Sequence, residues 1–161
     1  MKKCSIAVSV LASLLGGGCA TTGVGGGGFD GDYRGQGVLD MTIATPVYRQ
    51  LPTETTQALV SLRAAGNGRA IVVVRFRARG NQCTLQASIV GGGFYVDPGQ
   101  VCRGLIAYDQ YDIDAMLQIT DARGNVAGGS LAMAIAGNVI ADHADGSRNT
   151  GVARWQMSGT R

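Results

Sequence analysis

The sequence predicts an all-β domain, an antiparallel up-and-down meander of about eight strands that closes as a small barrel or, alternatively, folds as a β-sandwich. The chain of 161 residues contains 26 glycines and 3 prolines, a composition typical of short strands with tight turns. From Phe29 onward, apolar and polar residues alternate with a period of two in successive segments. That alternation indicates half-buried strands.

The first half of the domain is predicted to fold as consecutive hairpins. "YRGQGVLDMTIA" is followed by "QALVSLRAA" and "AIVVVRFRA", and the Asn67-Gly68 pair between the last two is typical of a two-residue hairpin turn. After a predicted turn at "RGNQ" come "CTLQASIV" and the short strand "FYVD". The side chains expected to face the interior include Tyr33, Leu39, Met41, Ile43, Val72, Val74, Phe76 and Ala78.

The second half begins with an interruption of the pattern. Residues Pro98–Asp114 lack alternation and are predicted to form the longest irregular segment of the domain. Alternation resumes in "AMLQITD", a turn is expected at "ARGN", and "SLAMAIAGNVI" and "GVARWQMSG" complete the meander. The side chains expected to face inward here include Leu131, Met133, Ile135, Ala153, Trp155 and Met157.

The N-terminal residues predict export. "MKK" is positively charged and is followed by "SIAVSVLASLL", an apolar run of 11 residues. As a helix this run would rise about 16 Å, whereas a membrane span needs about 30 Å. We therefore expect residues 1–18 to be a signal peptide.

The end of the apolar run, "LGGGC", resembles the lipobox of bacterial lipoproteins. In that motif small residues precede a cysteine that is lipidated and becomes the new N-terminus, and the match here covers Gly17, Gly18 and Cys19. Gly16 stands where the motif usually carries leucine, which leaves ordinary cleavage after Ala20 as the alternative. The resemblance implies a lipid anchor on Cys19 and the membrane as a partner.

The predicted organisation has three parts: the signal peptide, residues 19–28 as the lipidated cysteine and a glycine-rich tether, and residues 29–161 as a single β domain. The tether carries no charge and is expected to behave as a flexible coil. By the lipoprotein resemblance, the non-acidic Ala20 implies the outer membrane, with the domain facing the periplasm or the cell surface.

Two cysteines lie in the domain. Cys4 falls in the predicted signal peptide and Cys19 in the lipobox, which leaves Cys83 and Cys102. In the oxidising compartment reached by export, such a pair predicts a disulfide. The alternatives are two free thiols or a metal site; a metal site would need further ligands, and the single histidine, His143, is distant in sequence.

The two ends of the domain weakly resemble lipocalin-like β-barrels. "GDYRG", Gly31 to Gly35, is similar to the Gly-x-Trp opening of those barrels, with Tyr33 in place of the tryptophan. The Arg154-Trp155 pair in the last strand lies where those barrels often set an arginine against that aromatic ring. The resemblance favours a barrel over a sandwich, and fold alone carries no function.

The charge distribution predicts no nucleic-acid partner. The formal net charge is +3, but Lys2 and Lys3 are the only lysines, so the rest of the chain has 12 arginines against 11 acidic residues. Arg75, Arg77 and Arg79 alternate along one strand and form a candidate contact face for an anionic headgroup or acidic protein. The alternative is a solvated face that keeps the strand soluble.

No catalytic constellation is evident. Asp109, Asp112 and Asp114 in "DQYDID" lack the glycine-turned loop and terminal bidentate acid of a calcium site. In "ADHADG", His143 has Asp142 and Asp145 nearby, but no serine or cysteine nucleophile stands in a recognisable motif. We expect no enzymatic activity, no cofactor and no metal.

Two functional classes remain. The first is a non-enzymatic cell-envelope lipoprotein whose small barrel binds a protein or a small apolar ligand, or serves a structural role. The second is a periplasmic protease inhibitor of the small-barrel type, in which Pro98–Asp114 is the inserted element. An empty barrel interior would favour a small apolar ligand, whereas a packed interior with a protruding segment would favour an inhibitor.

Overall fold

A computed structural model describes residues 28–44, 48–50, 53–76, 82–103, 113–143 and 146–161. Regular structure within these ranges consists of strands only. In chain order they are β1 Gly31–Ala44, β2 Tyr48–Gln50, β3 Glu54–Gly66, β4 Arg69–Phe76, β5 Gln82–Val90, β6 Gly93–Val96, β7 Val101–Arg103, β8 Ile113–Ala127, β9 Ser130–His143 and β10 Arg148–Thr160.

The strands close into an eight-stranded antiparallel barrel. Neighbours in sequence pair with each other around the sheet in the order β1, β3, β4, β5, β6, β8, β9 and β10, and β10 pairs with β1 to complete the circle. The short strand β2 pairs with the end of β1, and the short strand β7 pairs with β8. The predicted up-and-down barrel is confirmed, and the sandwich alternative is wrong.

The strands turn alternate side chains into the barrel, as the period-two pattern predicts. Among the described residues, the predicted interior positions are buried, except Ile43, which is partly buried, and Ala78, which lies outside the described residues. The predicted turn at Asn67-Gly68 is also confirmed, with both residues at positive φ, 51° and 70°.

Trp155 is the largest side chain in the core. Its ring contacts Phe76 edge to face, with 5.3 Å between centroids, and its indole N–H donates to Thr56 Oγ1 at 3.4 Å. On β1, a Cβ at position 37 would overlap the indole, so Gly37 leaves the room that the tryptophan occupies.

The turn predicted at "ARGN" is wrong. β8 continues through these residues to Ala127, and the chain turns at Gly128-Gly129, both at positive φ. A register shift between Ile119 and Asp121 reverses the phase of the alternation. Gly124 lies within the strand, where a Cβ would overlap the ring of Phe94.

At one end of the barrel, Arg161 contacts Tyr33 on β1 and the residues just before β1. The guanidinium of Arg161 lies over the Tyr33 ring, 5.4 Å from the ring centroid, and donates to the Tyr33 hydroxyl at 3.0 Å. It also donates to the carbonyls of Gly28 and Asp30 at 2.5 and 2.6 Å. The arginine set against this aromatic ring is therefore Arg161, and the expectation from Arg154 is wrong.

The barrel has two walls of different construction. We call β8, β9, β10 and β1 the continuous wall, because each strand pairs with the next over most of its length. We call β5, β6 and β7 the interrupted wall. There β5 pairs with β6 only over Ala87–Val90, and no ladder among the described residues joins β5 to β7.

Two side-chain links bridge the gap between β5 and β7. The predicted disulfide is present and joins Cys83 to Cys102, whose Cα atoms are 5.3 Å apart. The Gln100 amide accepts from the Gln86 N–H and donates to the Gln86 carbonyl, both at 2.8 Å. The segment predicted to be irregular thus contains a strand at Val101–Arg103.

Candidate functional site

The barrel interior is filled by side chains. Trp155, Tyr33 and Phe94 are almost completely buried and belong to a single apolar cluster to which all eight barrel strands contribute. Eight strands enclose a space that side chains can fill on their own. The concave surfaces described next are therefore those of the barrel exterior.

Three adjoining concavities of about 730, 780 and 470 Å³ lie on the outside of the barrel. They share lining residues and follow one another around the curved outer surface, and we call them together the outer trough. It runs across adjacent strands from Tyr95 on β6, over Asn125, Ala132, Ser158 and Gln36, to Arg75 on β4.

The trough is concave because its middle is built from small side chains. Ala132 and Ala134 point outward from β9, next to Ser158 on β10 in register with Ala132. Longer side chains stand on either side, among them Gln36 on β1 and Arg123 on β8. The sheet thus has a low strip between taller rows, produced by side-chain size.

Three arginines outside the trough form ion pairs. Arg63 binds Asp32 at 2.7 Å, Arg69 binds Asp97, and Arg148 binds Asp142 at 2.6 Å. Hydrogen bonds from Ser61 and Arg63 lower the pKa of Asp32, and the hydrogen bond from Arg69 lowers the pKa of Asp97. These pairs are partly exposed, so their main effect is to neutralise charge locally.

The arginines that line the trough have no acidic partner. No hydrogen bond or ion pair within the described ranges engages Arg34 or Arg123. Arg75 donates only to neutral groups there, Gln82 at 2.9 Å and Ser61 at 3.3 Å. No aspartate or glutamate lines the part of the trough that the structure describes. The trough is therefore cationic.

The predicted contact face is found in part. Arg75 is exposed and lines the trough, whereas Arg77 and Arg79 lie outside the described residues. Arg63 and Arg69 of the same hairpin are neutralised by their ion pairs. The cations that accompany Arg75 come from other strands.

The remaining candidate residues give no second site. Asp142 accepts two hydrogen bonds from Arg148, at 2.6 and 3.1 Å, which raise the pKa of Arg148. The side chains of His143 and Asp114 are outside the described part of the structure, as are Asp109, Asp112 and Asp145. No group of three metal-ligating side chains occurs among the described residues.

The predicted signal peptide, Cys19 and the tether up to residue 27 also lie outside the described residues. Within the described ranges, no helix has the length and apolar character needed to cross a membrane.

Sequence reasoning missed most of the trough. Arg34, Tyr95 and Arg123 are far apart in sequence, and only the strand register brings them to one surface. The available signal is that each occupies an outward position in its strand. That signal is shared with every solvated residue of a barrel.

No protein-family model matches the sequence, and no curated protein matches it. A search of solved structures finds a crystal structure of a protein of unknown function from the DUF3598 family of Nostoc punctiforme. Its sequence identity is 16%, the alignment covers 81% of this chain and 46% of that chain, and the TM-score is 0.33. The chain therefore spans less than half of the length of that protein.

Proposed function

We propose that this protein is a non-enzymatic cell-envelope lipoprotein, held at the outer membrane by a lipid on Cys19, whose barrel binds its partner on the outer surface. The observation that carries the binding role is the combination of a filled interior with a cationic trough outside. Because side chains fill the interior, contact with a partner is left to the outer surface of the barrel. The Cys83–Cys102 disulfide supports export, since such bonds persist in oxidising compartments.

The anchor is tested by replacing Cys19. In the cell of origin, Cys19→Ser should move the protein from the detergent-soluble membrane fraction to the soluble fraction and abolish incorporation of labelled fatty acid. Cys4→Ser is the matched control, because Cys4 lies in the predicted signal peptide and should change neither result. Unchanged fractionation and labelling of the Cys19 variant would show that the lipobox assignment is wrong.

A periplasmic protease inhibitor is the second candidate. The packed interior favours it, and so does the disulfide, which joins β7, within the predicted inserted element, to β5. An inhibitor should form a stable complex with a secreted protease and reduce its activity at a stoichiometry near one to one. Rapid degradation of the folded protein by a panel of such proteases, without inhibition, would eliminate this candidate.

A further inference from the structure

We infer that the outer trough binds an anionic polysaccharide, a polymer whose sugar rings carry carboxylates. This inference rests on the proposed function and names the class of ligand for its binding surface. Three features carry it: an exposed aromatic ring, unengaged side-chain amides, and cations spaced along the trough.

The aromatic ring is Tyr95. It points outward from β6 and is 51% exposed. In register with it on β8 is Arg123. The electron-rich face of a tyrosine ring can receive the C–H face of a pyranose ring, and the guanidinium beside it can bind a carboxylate on the same sugar.

Side-chain amides lie next to this ring. Gln36, Asn125 and Gln156 all line the trough. No hydrogen bond within the described residues engages these three amides. An amide has two donors and an acceptor, which suits the adjacent hydroxyl groups of sugars better than it suits an apolar ligand.

The cations are distributed along the trough. Arg34 and Arg75 lie on either side of Leu59 in the cross-strand register, so their Cα atoms are separated by two strand spacings, about 10 Å. Arg123 lies three strand spacings from β1, about 14 Å, and is in register with Val38, four residues further along β1 than Arg34, so the two arginines are about 20 Å apart along the sheet. A single small anion contacts one such position, whereas a polymer with a charge on each ring can contact successive positions as it follows the curved outer surface of the barrel.

Other anionic partners fit the trough less well. Nucleic acid calls for a strongly basic domain, and this chain is nearly neutral apart from its two lysines. An anionic bilayer contacts one flat face of a protein, whereas these cations are spread around a closed barrel, on β8, β1 and β4. A protein partner is typically held by a central apolar patch; Val38, Val90 and Tyr95 supply exposed apolar surface in the trough, but they share its lining with unengaged amides and arginines. Nucleic acid and bilayers are therefore used as competitors in the test.

The test uses the full-length protein in detergent and isothermal titration calorimetry with an oligogalacturonate. The matched probe is the same oligomer with its carboxylates methyl-esterified, which keeps the rings and removes the charges. We expect saturable binding of the acidic oligomer and at least tenfold weaker binding of the ester, because hydrogen bonds to charged groups are the stronger class.

The variants separate recognition from general attraction. Tyr95→Ala and, separately, Arg34→Gln with Arg123→Gln should each weaken binding by about tenfold or more. Arg154→Gln is the control, since Arg154 is also exposed and unpaired in the described structure but lies outside the lining of the trough. It should change affinity less than threefold. Circular dichroism of each variant verifies that the barrel is intact.

Three results would overturn the inference: no saturable binding of the acidic oligomer, equal binding of the ester, or an unaltered affinity after Tyr95→Ala. Competition by DNA or by phosphatidylglycerol vesicles at the same charge concentration would likewise show that the trough attracts anions without selecting sugars. None of these results affects the Cys19 fractionation test, so failure of the ligand assignment is distinguishable from failure of the anchor.

Discussion

The continuous wall and the interrupted wall perform the same structural task with different bonds. In the continuous wall, β9 and β10 pair without a break from Ser130–Thr160 to Asp142–Arg148. In the interrupted wall, the ladder between β5 and β6 covers four residues of β5, and the gap beyond is bridged by Cys83–Cys102 and Gln100. The comparison teaches that a barrel can close without a complete ladder when side chains supply the missing links.

The Gln100 amide makes the hydrogen bonds that the backbone of a neighbouring strand would otherwise make. Its oxygen and nitrogen bind the N–H and carbonyl of the same residue, Gln86, as a neighbouring strand would. The backbone groups of β5 at this point are satisfied, which the burial of its alternate side chains requires. The disulfide then joins the strands covalently two to three residues further along.

The largest expected effect comes from removing the largest core side chain of the continuous wall. Trp155→Ala should lower the free energy of unfolding by about 3–5 kcal/mol, because it removes a fully buried ring and leaves a cavity beside Phe76 and Gly37. Urea denaturation followed by circular dichroism measures the loss. Trp155→Phe should cost clearly less, and equal losses in the two variants would contradict the packing argument.

The second effect tests the interrupted wall. Replacing Cys83 and Cys102 by alanine should lower the free energy of unfolding by about 3 kcal/mol, since the disulfide closes a loop with a sequence separation of 19. Hydrogen exchange should accelerate first in β5 and β7 and remain slow in β9 and β10. Uniform acceleration in all strands would show that the two walls unfold together and that their difference has no energetic counterpart.

The smallest expected effect comes from removing the Gln100 hydrogen bonds of the interrupted wall. Gln100→Ala removes the two hydrogen bonds to the Gln86 backbone and a third to the Asp97 carbonyl, and should cost about 1 kcal/mol, since the bonds to Gln86 are solvent-exposed. Gln86→Ala is the matched control, because only the Gln86 backbone takes part in these bonds. The same denaturation assay should find the control within about 0.5 kcal/mol of the parent; equal losses would argue against the bridging role.

The sequence predicts the barrel well where side-chain alternation is uninterrupted. The predicted interior positions of Tyr33 and Trp155 are confirmed, because side chains along a strand alternate with a strict period of two. The turn at "ARGN" failed for two reasons: the bulge near Thr120 reverses the phase, and Gly124 is small in order to admit Phe94. A glycine that packs under a ring looks the same in sequence as a glycine that turns the chain.

The trough was beyond local sequence reasoning. Its residues come from strands that are distant in sequence. Whether Arg34 lies beside Leu59 and Arg75 depends on the register of three strands. The sequence also does not distinguish Arg63 from Arg75 by function, because both are arginines on the strands of one hairpin. The structure separates them because Arg63 forms an ion pair with Asp32, whereas Arg75 donates hydrogen bonds to Gln82 and Ser61 and acts on Asp32 only at longer range.

The contacts of Arg161 have a mechanical consequence. The chain enters the barrel at Gly28, and Arg161 holds the carbonyls of Gly28 and Asp30 against the end of the structure. A pull on the residues before Gly28 therefore acts first on the hydrogen bonds of Arg161. The ladders that join β1 to β3 and β10 come under load only after those bonds break.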